Sequence, residues 1–247
     1  MNETISLLMS HRSIRKFKNE PVSGELLHTI VGAAQMASTS SNVQAYTVIA
    51  VTDMDKRTRI EELAGNQAYI TECPVFLVWC ADLNRLKHAV EPYLKDKPSY
   101  EDSTENFIVA TVDASLAAQN AAIAAESLGL GIVYIGGIRN RIAEVADVLS
   151  LPELVYPLFG MCVGYPDQEP MLRPRLPLQS VLHINEYDKQ RAAEGVKAYD
   201  AASSDYLRKR SNGKNAAPWS ELMSKRLAEP VRLHMKPFLQ DRGFMKQ

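Results

Sequence analysis

The chain has 247 residues, 28 Lys and Arg against 29 Asp and Glu, a formal net charge of -1 and 46% hydrophobic residues. A chain of this size buries roughly 70–75% of its unfolded surface, which excludes wholesale disorder and any need for a disulfide or metal staple. The near-neutral balance argues against a dedicated nucleic-acid binder, whose domain is strongly basic.

Residues 3–9 place Ile5, Leu8 and Met9 at helical spacing, which predicts a short first helix. Ser23 reads as the N-cap of a second helix, with Leu26, Leu27, Ile30, Val31, Ala34 and Ala37 on one face. That helix ends in the polar loop STSSN (38–42). Strands are expected at 46–51, 75–81, 131–135 and 156–164, with helical patterns between them around 54–64, 82–94, 105–128 and 139–149. The segment 105–128 is rich in Ala and apolar nearly all round, the pattern of a central buried helix. A Pro-rich surface loop is expected over 165–182, then helical blocks at 186–210 and 219–235. Strand–helix alternation by itself points to a parallel α/β sheet.

Two nucleotide-binding signatures fail. In GLGIVYIGG (129–137) the third glycine position is Tyr134, and the glycines precede a strand instead of following one. Gly129 reads better as a left-handed helix cap. No GxxxxGK[ST] string is present. Cys73, Cys80 and Cys162 are too few for a disulfide framework, and the latter two, in apolar runs, read as small buried hydrophobes. No metal-ligand spacing appears. The N-terminal segment lacks the apolar core of a signal peptide, and no stretch reads as a membrane span, so a soluble cytoplasmic protein is expected. The carboxylate pairs Glu61/Glu62 and Glu101/Asp102 read as solvated faces.

Several segments could carry chemistry. HRSIRKF (11–17) gathers His11, Arg12, Arg15 and Lys16 beside the hydroxyl of Ser13, either an anion cradle or a solvated basic turn. In RPRLP (173–177) an extended Pro segment can point Arg173 and Arg175 the same way, toward one anion or simply into solvent. No acidic stretch stands beside either cluster in the sequence. STSS (38–41) with Gln44, and AGNQAYI (64–70) with Gln67, offer hydroxyl and amide groups suited to a heterocycle's edge, or to ordinary turns. YIGG (134–137) ends a strand in paired glycines, either a turn or a close approach to a flat ligand.

Taken in order, HRSIRKF, ASTSSNVQAY, LAGNQAYI, AQNAAIAAESLGLGIVYIGGIRN, PLFGMCVGYP, RPRLP and the basic SNGK segment closely resemble the nitroreductase-family flavoenzymes. The likeness is to the A-type, oxygen-insensitive NADPH-dependent nitroreductases and FMN reductases of bacteria, and it covers essentially the whole chain. The resemblance implies an α+β, nitroreductase-like fold with a central mixed, mostly antiparallel sheet wrapped by helices, which displaces the parallel expectation. It implies a single domain over 1–247, of which 186–247 is a helical, basic C-terminal extension. It further implies a homodimer with non-covalent FMN at the interface, NADPH as hydride donor, and small-molecule acceptors such as nitroaromatics, quinones or free flavin in a two-electron ping-pong cycle. Nucleic-acid and membrane partners are not expected.

By position, the resemblance assigns His11, Arg12, Ser13, Arg15, Arg173 and Arg175 to the flavin phosphate and neighbouring groups. Thr39, Ser40 and Ser41 would come from the partner subunit, Gln67 would address the isoalloxazine edge, and Tyr134, Ile135, Gly136 and Gly137 would lie along the ring. Arg208, Arg210 and Lys214, with Lys209 beside them, would accept the 2′-phosphate of NADPH, the alternative being a solvated charge run. Two departures stand out: Thr39 where the family often has Ser, and Arg173-Pro174-Arg175 where it has Lys-Pro-Arg. No catalytic acid, base or nucleophile and no metal is expected, because the flavin carries the redox chemistry. The alternative is a flavin-sequestering or flavin-modifying protein of the same fold. The basic residues concentrate late in the chain, with 13 Lys and Arg against 8 Asp and Glu over 186–247.

Overall fold

The computed structural model describes residues 2–95 and 97–247. Its strands are β1 (Tyr46–Ala50), β2 (Val75–Asp82), β3 (Gly131–Ile135) and β4 (Val155–Gly164). They form one sheet in the order β1-β2-β4-β3 with every pair antiparallel. Among the described residues, parallel pairing is confined to an isolated bridge between Ser13 and Ile132. The parallel sheet inferred from alternation is therefore wrong, and the physical reason lies in β2. Phe76, Val78 and Cys80 face one apolar cluster while Leu77 and Trp79 face the other. Its unbroken apolar run thus records cover on both faces, not strand direction.

One face is covered by α2 (Gly24–Gln35) and α6 (Thr104–Ser127). Ser23 caps α2 by accepting from the Leu26 N–H, as expected. On α6, Ala117, Ala118, Ala121, Ala122 and Ala125 pack with Ile30, Ala34 and Trp79; small side chains let helix and sheet approach closely. Gly129 ends this helix at φ +78, with Leu130 N–H donating to Ala125 and Gly129 N–H to Glu126, a Schellman closure. By length and composition α6 is apolar enough to cross a membrane, contrary to the sequence expectation, and its alanine rows are packed in the core. The other face holds residues of α3 (Met54–Leu63), α7 (Ile142–Val148) and α10 (Met235–Asp241).

The remaining helices are α1 (Glu3–Met9), α4 (Tyr69–Glu72), α5 (Asn84–Leu94), α8 (Lys189–Arg210) and α9 (Trp219–Ala228). The helical block expected over 219–235 is two elements. Pro230 drives the preceding Glu229 to φ -107 and ψ 132, which stops α9, and α10 starts at Met235. Residues up to Pro170, together with Arg232–Gln247, form one compact unit; Met171–Val231 form another. In the second unit, a Cβ on Gly195 of α8 would lie 1.3 Å from Ser180 Oγ, so the helix seats the preceding turn through that glycine.

All three cysteines are free and buried. Cys73 lies 3.0 Å from the Nη2 of buried Arg57, which also donates to the carbonyls of Ile70 and Cys73. Glu101 does not belong to a solvated face: it is partly buried, pairs with Lys87 at 3.1 Å, and is held below the usual carboxylate range chiefly by a hydrogen bond from Ser99.

Candidate functional site

The basic segment HRSIRKF is laid along the sheet. Ile14 N–H donates to Ile132 O at 2.9 Å, and Phe17 bridges Pro166 beyond β4. Ile14 is buried against Gly131, where an added Cβ would meet Ile14 Cγ1 at 2.4 Å. Alternation then sends Ser13 and Arg15 away from Ile14. His11 Nδ1 lies 2.5 Å from Glu126 Oε1 in the last turn of α6, and Arg12 Nη1 lies 3.0 Å from Glu169 Oε1. Both carboxylates are distant in sequence, so the absence of acidic neighbours along the chain did not carry over to space. Arg12 Nε is buried without a hydrogen-bond partner, and Arg15 is exposed with no carboxylate partner among the described residues. A cleft of about 200 Å³ opens here, lined by Leu7, Ser10, His11, Arg12, Glu126 and Gln168 among others.

A second cluster forms around one carbonyl. Ala64 O at the end of α3 accepts from Gln67 Nε2 at 2.8 Å and from Asn140 Nδ2 at 3.2 Å. Tyr69 donates its phenol to Gln67 Oε1. The amide of Gln67 is thereby oriented, with one N–H and one lone pair left over. Gly137 sits directly against this group: a Cβ there would be 2.1 Å from Gln67 Nε2 and 2.5 Å from Ala64 O. So the structure brings Gln67 together with Gly137, two residues picked separately from the sequence. Upstream, the Tyr134 ring meets Phe159 edge-on at 5.0 Å, and its hydroxyl donates to Gln119 at 3.4 Å. Burial, reinforced by the Glu126 carboxylate, raises its phenol above the ordinary value. Ile135 is buried, Gly136 half-buried.

Thr39, Ser40 and Ser41 lie on a short loop whose backbone turns left-handed at Ser41 (φ 46), Asn42 (φ 58) and Gln44 (φ 53). Ser40 and Ser41 are exposed, Thr39 is half-buried. The loop is tied to α6 through Asp113, which accepts from the N–H groups of Ser40 and Ala45.

In the second unit, Arg173 stacks 6.0 Å above the Tyr206 ring, while Arg175 Nη1 donates back to Arg173 O at 2.9 Å. The two arginines thus have different partners. Arg208, Arg210 and Lys214 cluster at the exposed C-terminal end of α8, where cations also complement the helix dipole. Lys209 stands apart from them in an ion pair with Asp205 at 2.7 Å.

Residues 8–165 match the family model for the nitroreductase family, and residues 173–247 match the model for the nitroreductase family C-terminal domain. The chain belongs to the nitroreductase family. It is 43% identical to an FMN reductase (NADPH) of Bacillus subtilis and 41% identical to an NADPH-flavin oxidoreductase of Vibrio harveyi, each across the whole of both chains. Among solved structures, it superposes on NfrA1 of B. megaterium with a TM-score of 0.96 at 43% identity, covering 99% of this chain and 100% of that one. The NADPH:FMN oxidoreductase of Vibrio harveyi, solved in complex with NAD+, gives 0.89 at 40% identity with full coverage of both chains.

Within this nitroreductase, sequence reasoning missed the residues that hold the picked ones in place: Asp113, Glu126, Asn140 and Glu169. A signal existed for Asp113, a carboxylate isolated in an Ala-rich helix. None existed for Asn140 or Glu169, which are ordinary polar residues in polar surroundings.

Proposed function

We propose that this chain is an FMN-dependent oxidoreductase that uses NADPH to reduce nitroaromatics, quinones or free flavin. The observation that carries the flavin site is the cationic capacity beside the sheet: among the described residues Arg12 gives only Nη1 to a carboxylate and leaves Nε without a partner, and Arg15, three residues on, has no ion pair. Such a group fits a phosphate dianion, which guanidinium forks bind bidentately. The Gln67 amide, oriented by Ala64 O and Tyr69 and packed on Gly137, fits the polar edge of a flat heterocycle.

FMN, when bound, supplies a two-electron redox centre that takes hydride equivalents from NADPH and delivers them to the acceptor. The chain's own residues bind and orient. Arg12 and Arg15 neutralise the phosphate, and the Glu126 carboxylate fixes the His11 ring that borders it. Gln67 directs its remaining N–H and lone pair at the ring edge. Arg173 and Arg175 are assigned to the same cofactor by position in the family. Arg208, Arg210 and Lys214 are the proposed 2′-phosphate contacts, since at the end of α8 they form no ion pair among the described residues, whereas Lys209 does. No side chain is assigned a proton transfer.

The working form is a homodimer, with Thr39, Ser40 and Ser41 serving the partner's flavin. Exposed Ile108, Val112 and Leu116, spaced one turn apart on α6, support an apolar contact with a second copy. Three free buried cysteines suit a reducing, cytoplasmic setting.

The test is direct. The purified protein should show a flavin spectrum, bleach with NADPH under anaerobic conditions, and recolour on adding a nitrofuran or quinone. Protein that binds no added FMN sinks the reading, and bleaching without recolouring would mark a flavin store.

A further inference from the structure

We infer that Asp113 is a positioning residue for the flavin site, a buried carboxylate whose task is to hold the 39–45 loop in the shape that serves the partner subunit's cofactor. The inference rests on the functional reading above and assigns a role to a residue on α6 that touches no proposed ligand.

The argument starts from cost. Asp113 is fully buried on a helix whose neighbouring inward positions are Ala110, Ala114 and Ala117. An ionised carboxylate in such surroundings is expensive unless every lone pair of consequence is satisfied. Among the described residues it has no ion pair; its compensation is two backbone N–H groups. Oδ1 accepts from Ser40 N–H at 3.0 Å and Oδ2 from Ala45 N–H at 3.0 Å. Both are charge-assisted bonds, and both go to the same loop, one at each end.

The loop between those anchors is not one its own residues would choose. Ser41, Asn42 and Gln44 all sit at positive φ without a glycine among them. Non-glycine residues are uncommon in that region, Asn least so, and three within four positions need support from the surroundings. Within the loop, Val43 N–H donates to Ser40 O and the Gln44 amide reaches Asn42, and among the described residues Asp113 is what ties the loop to α6 from both ends. The part so held presents Ser40, Ser41 and Asn42 outward, exposed in the single chain. A buried charge and three left-handed residues therefore serve to display polar groups away from their own subunit. Asn could not substitute: its amide offers one acceptor, and its NH2 would face an N–H.

The experiment is subunit complementation, read as FMN affinity. Asp113→Asn should weaken FMN binding about tenfold or more while leaving the far-UV circular dichroism and the dimer intact. Arg15→Ala should weaken it independently. In mixed dimers of the two variants, one site receives an intact Arg15 from one chain and an intact loop from the other. Half of the sites should then regain wild-type affinity. A defect confined to general stability cannot produce that recovery. If Asp113→Asn does not fold, Asp113→Glu, which keeps two acceptors but displaces them by a methylene, is taken through the same two measurements. Wild-type FMN affinity in the folded variant, or mixed dimers with no recovered site, overturns the inference. Failure of the wild-type protein itself to bind FMN overturns the functional reading and this inference together.

Discussion

Gly137 shows how a single position can be legible in type yet not in reason. The sequence reading left it open between a simple turn and a close approach. In the structure it lies in a 3-10 turn packed against the chain itself, and the atoms approached are those of Gln67 and Ala64, far back in the sequence. One neighbour is a backbone carbonyl that cannot swing aside. Gly137→Ala should therefore cost about 1–3 kcal/mol through overpacking and lower FMN affinity by displacing the Gln67 amide. Thermal melting and flavin titration check this; an unchanged melting temperature would contradict it. Gly129, by contrast, was readable outright, because the helix it caps and the strand it precedes are local. Arg12 and His11 fall between the two cases. Their side chains were plain in the sequence, but Glu169 and Glu126, which pair with them, became neighbours only through folding.

At the scale of elements, α6 was anticipated as a buried central helix because it is apolar on almost every side. The structure divides that surface. Ala114, Ala117 and Ala121 are wholly buried within the chain, whereas Ile108, Val112 and Leu116 remain 48%, 46% and 43% exposed. Composition could not tell the face packed in the core from the face left at the surface, since both carry apolar side chains. On the proposed homodimer, Val112→Asp combined with Leu116→Asp should yield monomer and release flavin, with sedimentation and absorbance measured on the same sample. A dimer that survives both charges would exclude this face as the contact. The end of α8 offers a separate test. Arg210→Ala should lower kcat/KM for NADPH by about tenfold, the order expected from one lost charge-assisted contact, and leave NADH nearly unaffected. Equal losses with both cofactors would remove Arg210 from the 2′-phosphate site.

For the molecule as a whole, the number of strands and their approximate limits were readable from apolar runs, but their direction was not. A strand covered on both faces carries the same hydrophobic signature whether its neighbour runs with it or against it. The last residues of the chain were equally opaque. They read as part of a basic extension, yet 232–247 return to the first unit. There Phe244 is fully buried, with its ring 5.2 Å from Tyr156 and 6.1 Å from Phe107. Phe244→Ala should cost about 3–5 kcal/mol, seen as a lower urea midpoint for unfolding of the first unit. A loss within 1 kcal/mol, roughly what an exposed position gives, would show that the tail is dispensable.

That returning tail sets an order of events during synthesis. Tyr156 and Phe107 leave the ribosome well before Phe244, and the entire second unit must be translated in between. At roughly 5–20 residues per second, the aromatic floor of the first unit waits for several seconds without its lid. Nascent chains stalled near the end of 171–231 should therefore be protease-sensitive and chaperone-bound in their first unit, although every strand of its sheet has by then left the exit tunnel.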